Sequence, residues 1–340
     1  MSDFQAGLRS LAAGSLPHTD PAVACQLMID RLDIPTWPQL PRRSFHEHMA
    51  VQYSERFPGM VVSGNRFYVD RGRDLSFGLE QLYMAYLTND LDFAAIDAQY
   101  AAGLSLFLSL PLDGKVEIKG QVTGPVSWGL VVVDQDRKPI LYDEELAEAA
   151  AKHLRLKAAW MERELRKRAP RTLIFVDEPF LSRLESSSIS LGHDRVVALL
   201  EEVLAGIEGL KGIYCGGPAD WSLLLSTTIN ILYLDAYSYA ESLAQYPEQV
   251  SAFLQQGGVI AWGIVPATDQ VMQETVESLV DRFYEGLGWL TDRGVHRDDL
   301  LASALVAPSG GCGSLTEEVA ERVLELTGGV AKALRVRYGV

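Results

Sequence analysis

Short apolar runs in this chain end, one after another, in a reactive or turn-forming side chain. Thr172-Leu173-Ile174-Phe175-Val176 runs into Asp177-Glu178-Pro179, and Gly212-Ile213-Tyr214 into Cys215-Gly216-Gly217. Ile231-Leu232-Tyr233-Leu234 is followed by Asp235, and Leu305-Val306-Ala307 by Pro308-Ser309-Gly310-Gly311-Cys312. Strands of a parallel sheet are covered on both faces, so they read as continuous apolar runs. Polar groups at the exits of several such strands, with helices between them, are how a TIM barrel builds a catalytic face. The pattern predicts an α/β fold, a parallel eight-stranded TIM barrel, and an enzyme.

The balance of residues narrows the class of partner. The chain has 340 residues, 48% of them apolar and 22% charged, which is enough for a sizeable core and argues against wholesale disorder. A formal net charge of −15 gives no drive for counterion release, so nucleic acid is not an expected partner. The cysteines, Cys25, Cys215 and Cys312, are too few and odd in number for a disulfide framework. No secretory leader is visible at Met1-Ser2-Asp3-Phe4-Gln5, and no apolar run approaches the roughly 20 residues that span a bilayer. A cytoplasmic protein acting on a small-molecule substrate, without membrane or nucleic acid, is the expectation.

Along the chain, strands are expected over 8–13, 116–121, 172–176, 212–215, 231–235, 259–265 and 301–306. Helices are expected over 22–32, behind the cap Asp20-Pro21, and over 76–87, 91–108, 143–168, 193–209, 269–293 and 315–336. Ser63-Gly64-Asn65 suggests a hairpin within 60–70. The eighth strand is left to 60–70 or 105–110, and the proline-bearing stretch 35–58 reads as irregular. The whole is read as a single domain over 1–340, a barrel with an irregular N-terminal extension.

Several motifs, in order, resemble the superfamily that joins the catalytic domain of cobalamin-independent methionine synthase with uroporphyrinogen decarboxylase and the corrinoid-protein methyltransferases. They are Gly14-Ser15-Leu16-Pro17-His18-Thr19, Thr123-Gly124-Pro125-Val126-Ser127, Asp177-Glu178-Pro179, Trp262-Gly263-Ile264-Val265 and Pro308-Ser309-Gly310-Gly311-Cys312-Gly313. The length fits one catalytic domain without the synthase's additional N-terminal barrel. The resemblance implies a methyltransferase of the methionine-synthase-like group. Such an enzyme moves a methyl group from a methylated donor, a corrinoid on a partner protein or a folate, to a thiol or another small nucleophile.

It also implies site residues. Asp177, with Glu178 beside it, is expected at the catalytic centre, Asp177 holding a substrate amine. Ser15 and His18 lie where relatives touch a substrate carboxylate. In the family a His-x-Cys pair, a Glu and a final Cys hold zinc, which activates a thiol by lowering its pKa. Here Cys215, Asp235 and Cys312 remain as metal ligands and the histidine is missing. In one register Ile213 replaces it; in the other Tyr214 replaces it and Gly216 replaces the cysteine. An incomplete zinc site, binding weakly or not at all, is the expectation. Tyr237 and Trp262 are candidates for the pocket wall.

Bland readings stand beside these. Asp177-Glu178-Pro179 can be a capped surface turn, Ser15 a helix cap, and the aromatics packing beneath the loops. His46-Glu47-His48 reads as solvent-facing. Two other functions stay open: a uroporphyrinogen-decarboxylase-like lyase, disfavoured by the lack of arginines in 14–20, and a metal-free small-molecule-binding relative.

Overall fold

In the computed structural model, which describes residues 4–112, 114–183 and 191–339, two sheets are present. A hairpin of β1 (Met60–Ser63) and β2 (Arg66–Val69) pairs antiparallel, with Ser63 opposite Arg66. The main sheet has six parallel strands hydrogen-bonded in chain order: β3 (Glu117–Thr123), β4 (Arg171–Asp177), β5 (Leu210–Cys215), β6 (Ile231–Leu234), β7 (Val259–Val265) and β8 (Ala304–Pro308). Helices form the crossovers, as parallel pairing requires. Glu144–Arg166 joins β3 to β4 and Val276–Thr291 leads towards β8, while Glu317–Tyr338 follows it. The first of these starts where Asp143 accepts the Leu146 amide at 3.0 Å. Glu144 and Glu145 in its first turn, and Arg163 and Arg166 in its last, complement its dipole.

Both faces of the sheet are largely apolar, with Lys119, Gln121 and Thr123 of β3 the polar exception, and the two faces bury different residues. Leu173 and Phe175 of β4, Ile231 and Tyr233 of β6, Ala261 of β7, Leu305 and Ala307 of β8, and Leu11 and Ala13 form one cluster. Side chains from strands so far apart can meet only inside a curled sheet. Their neighbours Ile174, Val176, Ile213, Cys215, Leu232, Trp262 and Val306 pack outward with the helices. Alternation with period two therefore persists within runs that look uniformly apolar. It also decides which exit residues face the interior: Thr123, Asp177 and Tyr214 stand side by side, since Thr123 pairs with Asp177 and Asp177 with Tyr214.

The sheet is not the closed eight-stranded barrel that the sequence suggests. Between β8 and β3 run two extended segments that make single parallel bridges, Ser10 with Val306, Ser15 with Gln39 and Thr36 with Lys119. The second carries Pro35, Pro38 and Pro41, which have no amide to donate, so a continuous ladder cannot form. The stretch 8–13, expected as a strand, runs beside β8, with the Leu8 and Leu11 amides donating to Ala304 and Val306 and the Val306 amide to Arg9, but forms a single bridge at Ser10; part of the expected irregular extension lines the gap beside it. Neither candidate for the eighth strand serves. Residues 60–70 form the separate hairpin, and 105–110 fall at the end of the helix Ala102–Phe107. The single helix expected over 91–108 divides into a short turn, Leu91–Ala94, and that helix. Among the described residues no helix is long and apolar enough to cross a membrane.

Candidate active site at the strand exits

A cavity of about 640 Å³ opens over the C-terminal ends of the strands, with Ser15, Gln39, Arg42, Thr123, Asp177 and Tyr214 in its wall. Ser15 comes from the first N-terminal segment. Its backbone carbonyl accepts the Cys312 amide at 3.0 Å, and its Oγ accepts the Gly313 amide at 3.2 Å. That leaves the hydroxyl proton to donate into the cavity. Gly14, just before it, has φ of +138° and lies against Gln121, where a Cβ would come within 2.5 Å of Nε2. Only glycine suits that position.

Asp177 closes β4. Its Oδ1 is buried and has no hydrogen-bond partner. A buried carboxylate oxygen left without a donor is costly, and an acceptor of this kind in a cavity wall is suited to a ligand that brings the donor. Burial pushes the carboxyl up to about 7, and Lys119 pulls it back down. Lys119 is fully buried in β3. Its ammonium donates to the Ala13 carbonyl at 2.7 Å and to Gln121 Oε1 at 3.2 Å, and lies 4.8 Å from the centre of the Phe175 ring. Burial lowers its pKa to about 8 while Asp177 raises it. The two groups share a low-dielectric interior, and each favours the charged form of the other.

Glu178 points away from the cavity. It is fully buried, and its two oxygens accept the amides of Val126 at 2.9 Å and Ser127 at 2.7 Å. These are the first turns of the helix Pro125–Val131, so the carboxylate fills the role of a cap supplied from another strand. A Cβ on Gly124 would fall 2.2 Å from Glu178 Oε1, which explains the glycine before Pro125. Burial pushes Glu178 up to about 7 against the pull of its hydrogen bonds. Adjacent acids at one strand exit thus divide, one toward the cavity and one into the helix layer.

At the exit of β5 the pleat sends two neighbouring side chains to opposite faces. Tyr214 faces the interior, its ring 4.7 Å from that of Tyr233, and Cys215 packs outward. The Cys215 thiol lies 3.5 Å from the Gly217 carbonyl. Tyr214 is therefore the residue that the exit of β5 turns inward. The phenol fills this space and donates to the Ser309 carbonyl at 3.1 Å. A Cβ on Gly216 or Gly310 would fall 2.5 or 2.9 Å from its oxygen. Asp235 caps the helix Ala236–Leu243 by accepting the Ser238 amide at 3.0 Å, and burial pushes its carboxyl up to about 6. Cys312 is buried, and burial pushes its thiol up to about 12. Among the described residues no three His, Cys, Asp or Glu side chains converge as a metal site would require. The donor set of Cys215, Asp235 and Cys312 does not fit zinc.

Other candidates fall outside the cavity. His18 is buried, with Nε2 3.4 Å from Glu321 Oε1 and Nδ1 without a partner. Tyr237 donates to Glu274 at 2.7 Å, and its ring lies under Arg282. Trp262 is fully buried against Phe283 on the helix side. His48, read from sequence as solvent-facing, is exposed yet forms part of the cavity rim. Gln39, Arg42 and Lys119 were not singled out by sequence, and Thr123 only as the start of a motif. The signal for Lys119 was present as a lysine within a strand run, where an unpaired charge is rare.

No family model matches the sequence, and a search of curated proteins gives no match. Solved structures do match. A B12-independent methionine synthase from Shewanella sp. W3-18-1 in complex with selenomethionine aligns over 97% of this chain and 98% of its own, at 17% identity and a TM-score of 0.59. A methyltransferase from Methanosarcina mazei aligns over 95% of this chain and 87% of its own, at 13% identity and a TM-score of 0.59. At these identities the likeness is one of fold: the chain has the TIM-barrel-like fold of these methyltransferase structures, with six of its strands in a regular parallel sheet.

Proposed function

We propose that this chain is a methyltransferase of the methionine-synthase-like group and that the cavity binds a small amino-acid-like substrate. Asp177 carries the reading: a buried carboxylate oxygen without a donor, at a strand exit, on the fold of a methionine synthase. Asp177 takes the substrate ammonium. Ser15, with its proton free to donate, and the Arg42 guanidinium at the rim take the carboxylate. Anchoring both ends fixes where the substrate's side chain lies and holds its nucleophile for the incoming methyl group. The donor, a corrinoid on a partner protein or a folate, enters by the same mouth. A decarboxylase-type substrate with several carboxylates would need several guanidinium groups; among the described lining residues Arg42 is the arginine present.

Calorimetric titration with L-homocysteine, L-methionine and related thiols tests the binding step. Methyl-labelled methylcobalamin or methyltetrahydrofolate, incubated with protein and homocysteine, tests transfer. Failure of every ligand to bind removes the amino-acid reading. Binding without label in the product from either donor removes the transfer step.

The acidity of Asp177 gives a pH dependence. An ammonium ligand needs the carboxylate, whereas the empty site holds the proton up to about pH 7 because burial disfavours the charge. Affinity therefore falls as pH drops below 7, approaching about tenfold per pH unit. Binding there releases a proton, which titrations in buffers of different ionisation heat will detect. Affinity that stays flat from pH 5 to 8 removes Asp177 as the partner of the ammonium.

A further inference from the structure

The cavity uses only part of the mouth. Its described lining residues come from 13–49, from the exits of β3, β4 and β5, and from 311–314 after β8. None falls between Tyr214 and Gly311, so among the described residues the exits of β6 and β7 contribute nothing to its wall. The boundary between the used and the unused part is a side chain.

Tyr214 leaves β5 beside Asp177, its pairing partner on β4, and its hydroxyl donates to the Ser309 carbonyl at 3.1 Å. Strands β5 and β8 are three places apart in the sheet, so a side chain that joins β5 to the exit of β8 passes through the interior. The far end of this link is fixed. Ser309 donates its amide to the Val265 carbonyl at 2.7 Å, and its Oγ accepts the Ala267 amide at 2.9 Å. Tyr233 of β6 makes a parallel crossing. Its hydroxyl donates to the Pro308 carbonyl at 2.5 Å, and its ring lies 4.7 Å from that of Tyr214. Burial holds both phenols in the protonated form, so both stay committed to backbone carbonyls. Gly216 and Gly310 keep room for the first phenol, since a Cβ on either would strike its oxygen.

The two tyrosines make a bar across the mouth, and Tyr214 is the face of it that the cavity sees. One end of that phenol starts next to Asp177. The other stops at Gly310, whose neighbour Gly311 lies against the Ser15 hydroxyl. A ligand held at Asp177 and Ser15 therefore has the ring in the wall between its two anchors. A side chain bonded at its tip and packed along its ring does not swing aside, so extra ligand length is met by overpacking. We infer that Tyr214, backed by Tyr233, is a specificity-determining residue that partitions the mouth and limits the substrate to a short side chain. This rests on the reading of the cavity as an amino-acid site and adds what the reading lacks, the upper size of the side chain.

The test is calorimetric titration at pH 8 with L-methionine, L-ethionine and S-butyl-L-homocysteine, using wild type, Tyr214→Phe, Tyr214→Leu and Tyr214→Ala. Wild type is expected to lose about tenfold or more in affinity from L-methionine to the S-butyl compound, the scale of excess methylenes in a closed pocket. Tyr214→Phe keeps the ring and the limit. Tyr214→Leu and Tyr214→Ala are expected to bind the S-butyl compound at least as tightly as L-methionine, a reversal that general loosening of the site does not give. Thermal melts confirm folding, and the leucine variant decides if the alanine variant unfolds. Melts of Tyr214→Ala with p-cresol examine the bar without any amino acid. The vacated space is expected to take the cresol, raising the melting temperature by several degrees or restoring the fold, with no such effect on wild type. Wild type that binds all three amino acids alike, or folded leucine and alanine variants that keep the wild-type order, overturns the partition while leaving the amino-acid site standing. Wild type that binds none of the three, with Tyr214→Ala answering to cresol, removes the amino-acid reading and supports the partition. No answer to cresol overturns the partition.

Discussion

Asp177→Asn weakens binding of an amino-acid ligand by tenfold or more, and leaves the melting temperature at pH 8 unchanged or higher. The first effect follows from the hydrogen bond. An ammonium on a buried carboxylate makes a charge-assisted bond worth about 1.5–3 kcal/mol, which a neutral amide does not supply. The second follows from linkage. Burial raises the Asp177 pKa from 3.8 to about 7 in the fold, so the folded state binds the proton more tightly than the unfolded chain. The stability this group contributes is fully present at pH below its unfolded value and is lost as pH rises through about 7. At pH 8 the carboxylate is thus a burden that asparagine removes, as expected of a group kept for a ligand. Calorimetric titration and a melt on the same sample measure both. A melting temperature several degrees lower, with affinity unchanged, would show that Asp177 serves to hold the charge of Lys119 rather than a ligand.

Gly103→Ala is expected to be the most damaging single methyl group in the chain. Gly103 lies in the helix Ala102–Phe107, and a Cβ there would fall 2.0 Å from the Pro38 carbonyl oxygen. That atom is backbone, so no side chain can swing aside, and helix and segment must separate. Overpacking of this kind costs about 3 kcal/mol. Pro38 precedes Gln39, which lines the cavity, so ligand affinity falls as well. Gly288→Ala is the control. Gly288 lies in the helix Val276–Thr291, nothing lies within 4 Å of its would-be Cβ, and alanine there adds roughly 0.5–1 kcal/mol of stability. Urea denaturation of both variants decides the matter, and equal stability of Gly103→Ala and wild type contradicts the close approach.

The parallel strands from β4 onward were legible because each holds an apolar run closed by a turn signal, whereas β3 carries Glu117, Lys119 and Gln121. Asp177 and Ser15 at the cavity were legible through the same exits. What could not be read was direction within an apolar run. Leu173 and Ile174 look alike in sequence, yet one faces the interior and the other the helices. The same ambiguity hid Tyr214 behind Cys215: a cysteine is the more conspicuous residue, but the pleat turns it outward. Glu178 was misplaced for a related reason. Its role depends on amides of Val126 and Ser127, some fifty residues earlier, and local spacing carries no trace of that contact. The missing ladders were hidden differently, since 34–39 carries prolines that argue against a strand and still lies where one would run.

The gap between β8 and β3 has a consequence for how the chain is made. Gly313 and Ser15, which meet there, are 298 residues apart in sequence. During synthesis the N-terminal segment emerges first, yet its partner on β8 comes last. Until β8 has left the ribosome, Ser10 lacks its Val306 partner and the outer edge of β7 stays unpaired. Contacts of such sequence separation form slowly, and unpaired strand edges invite pairing with other chains. Premature release of a truncated chain lacking β8 therefore leaves a sticky product rather than a smaller stable one, and the seam is where chaperone dependence in the cell should concentrate.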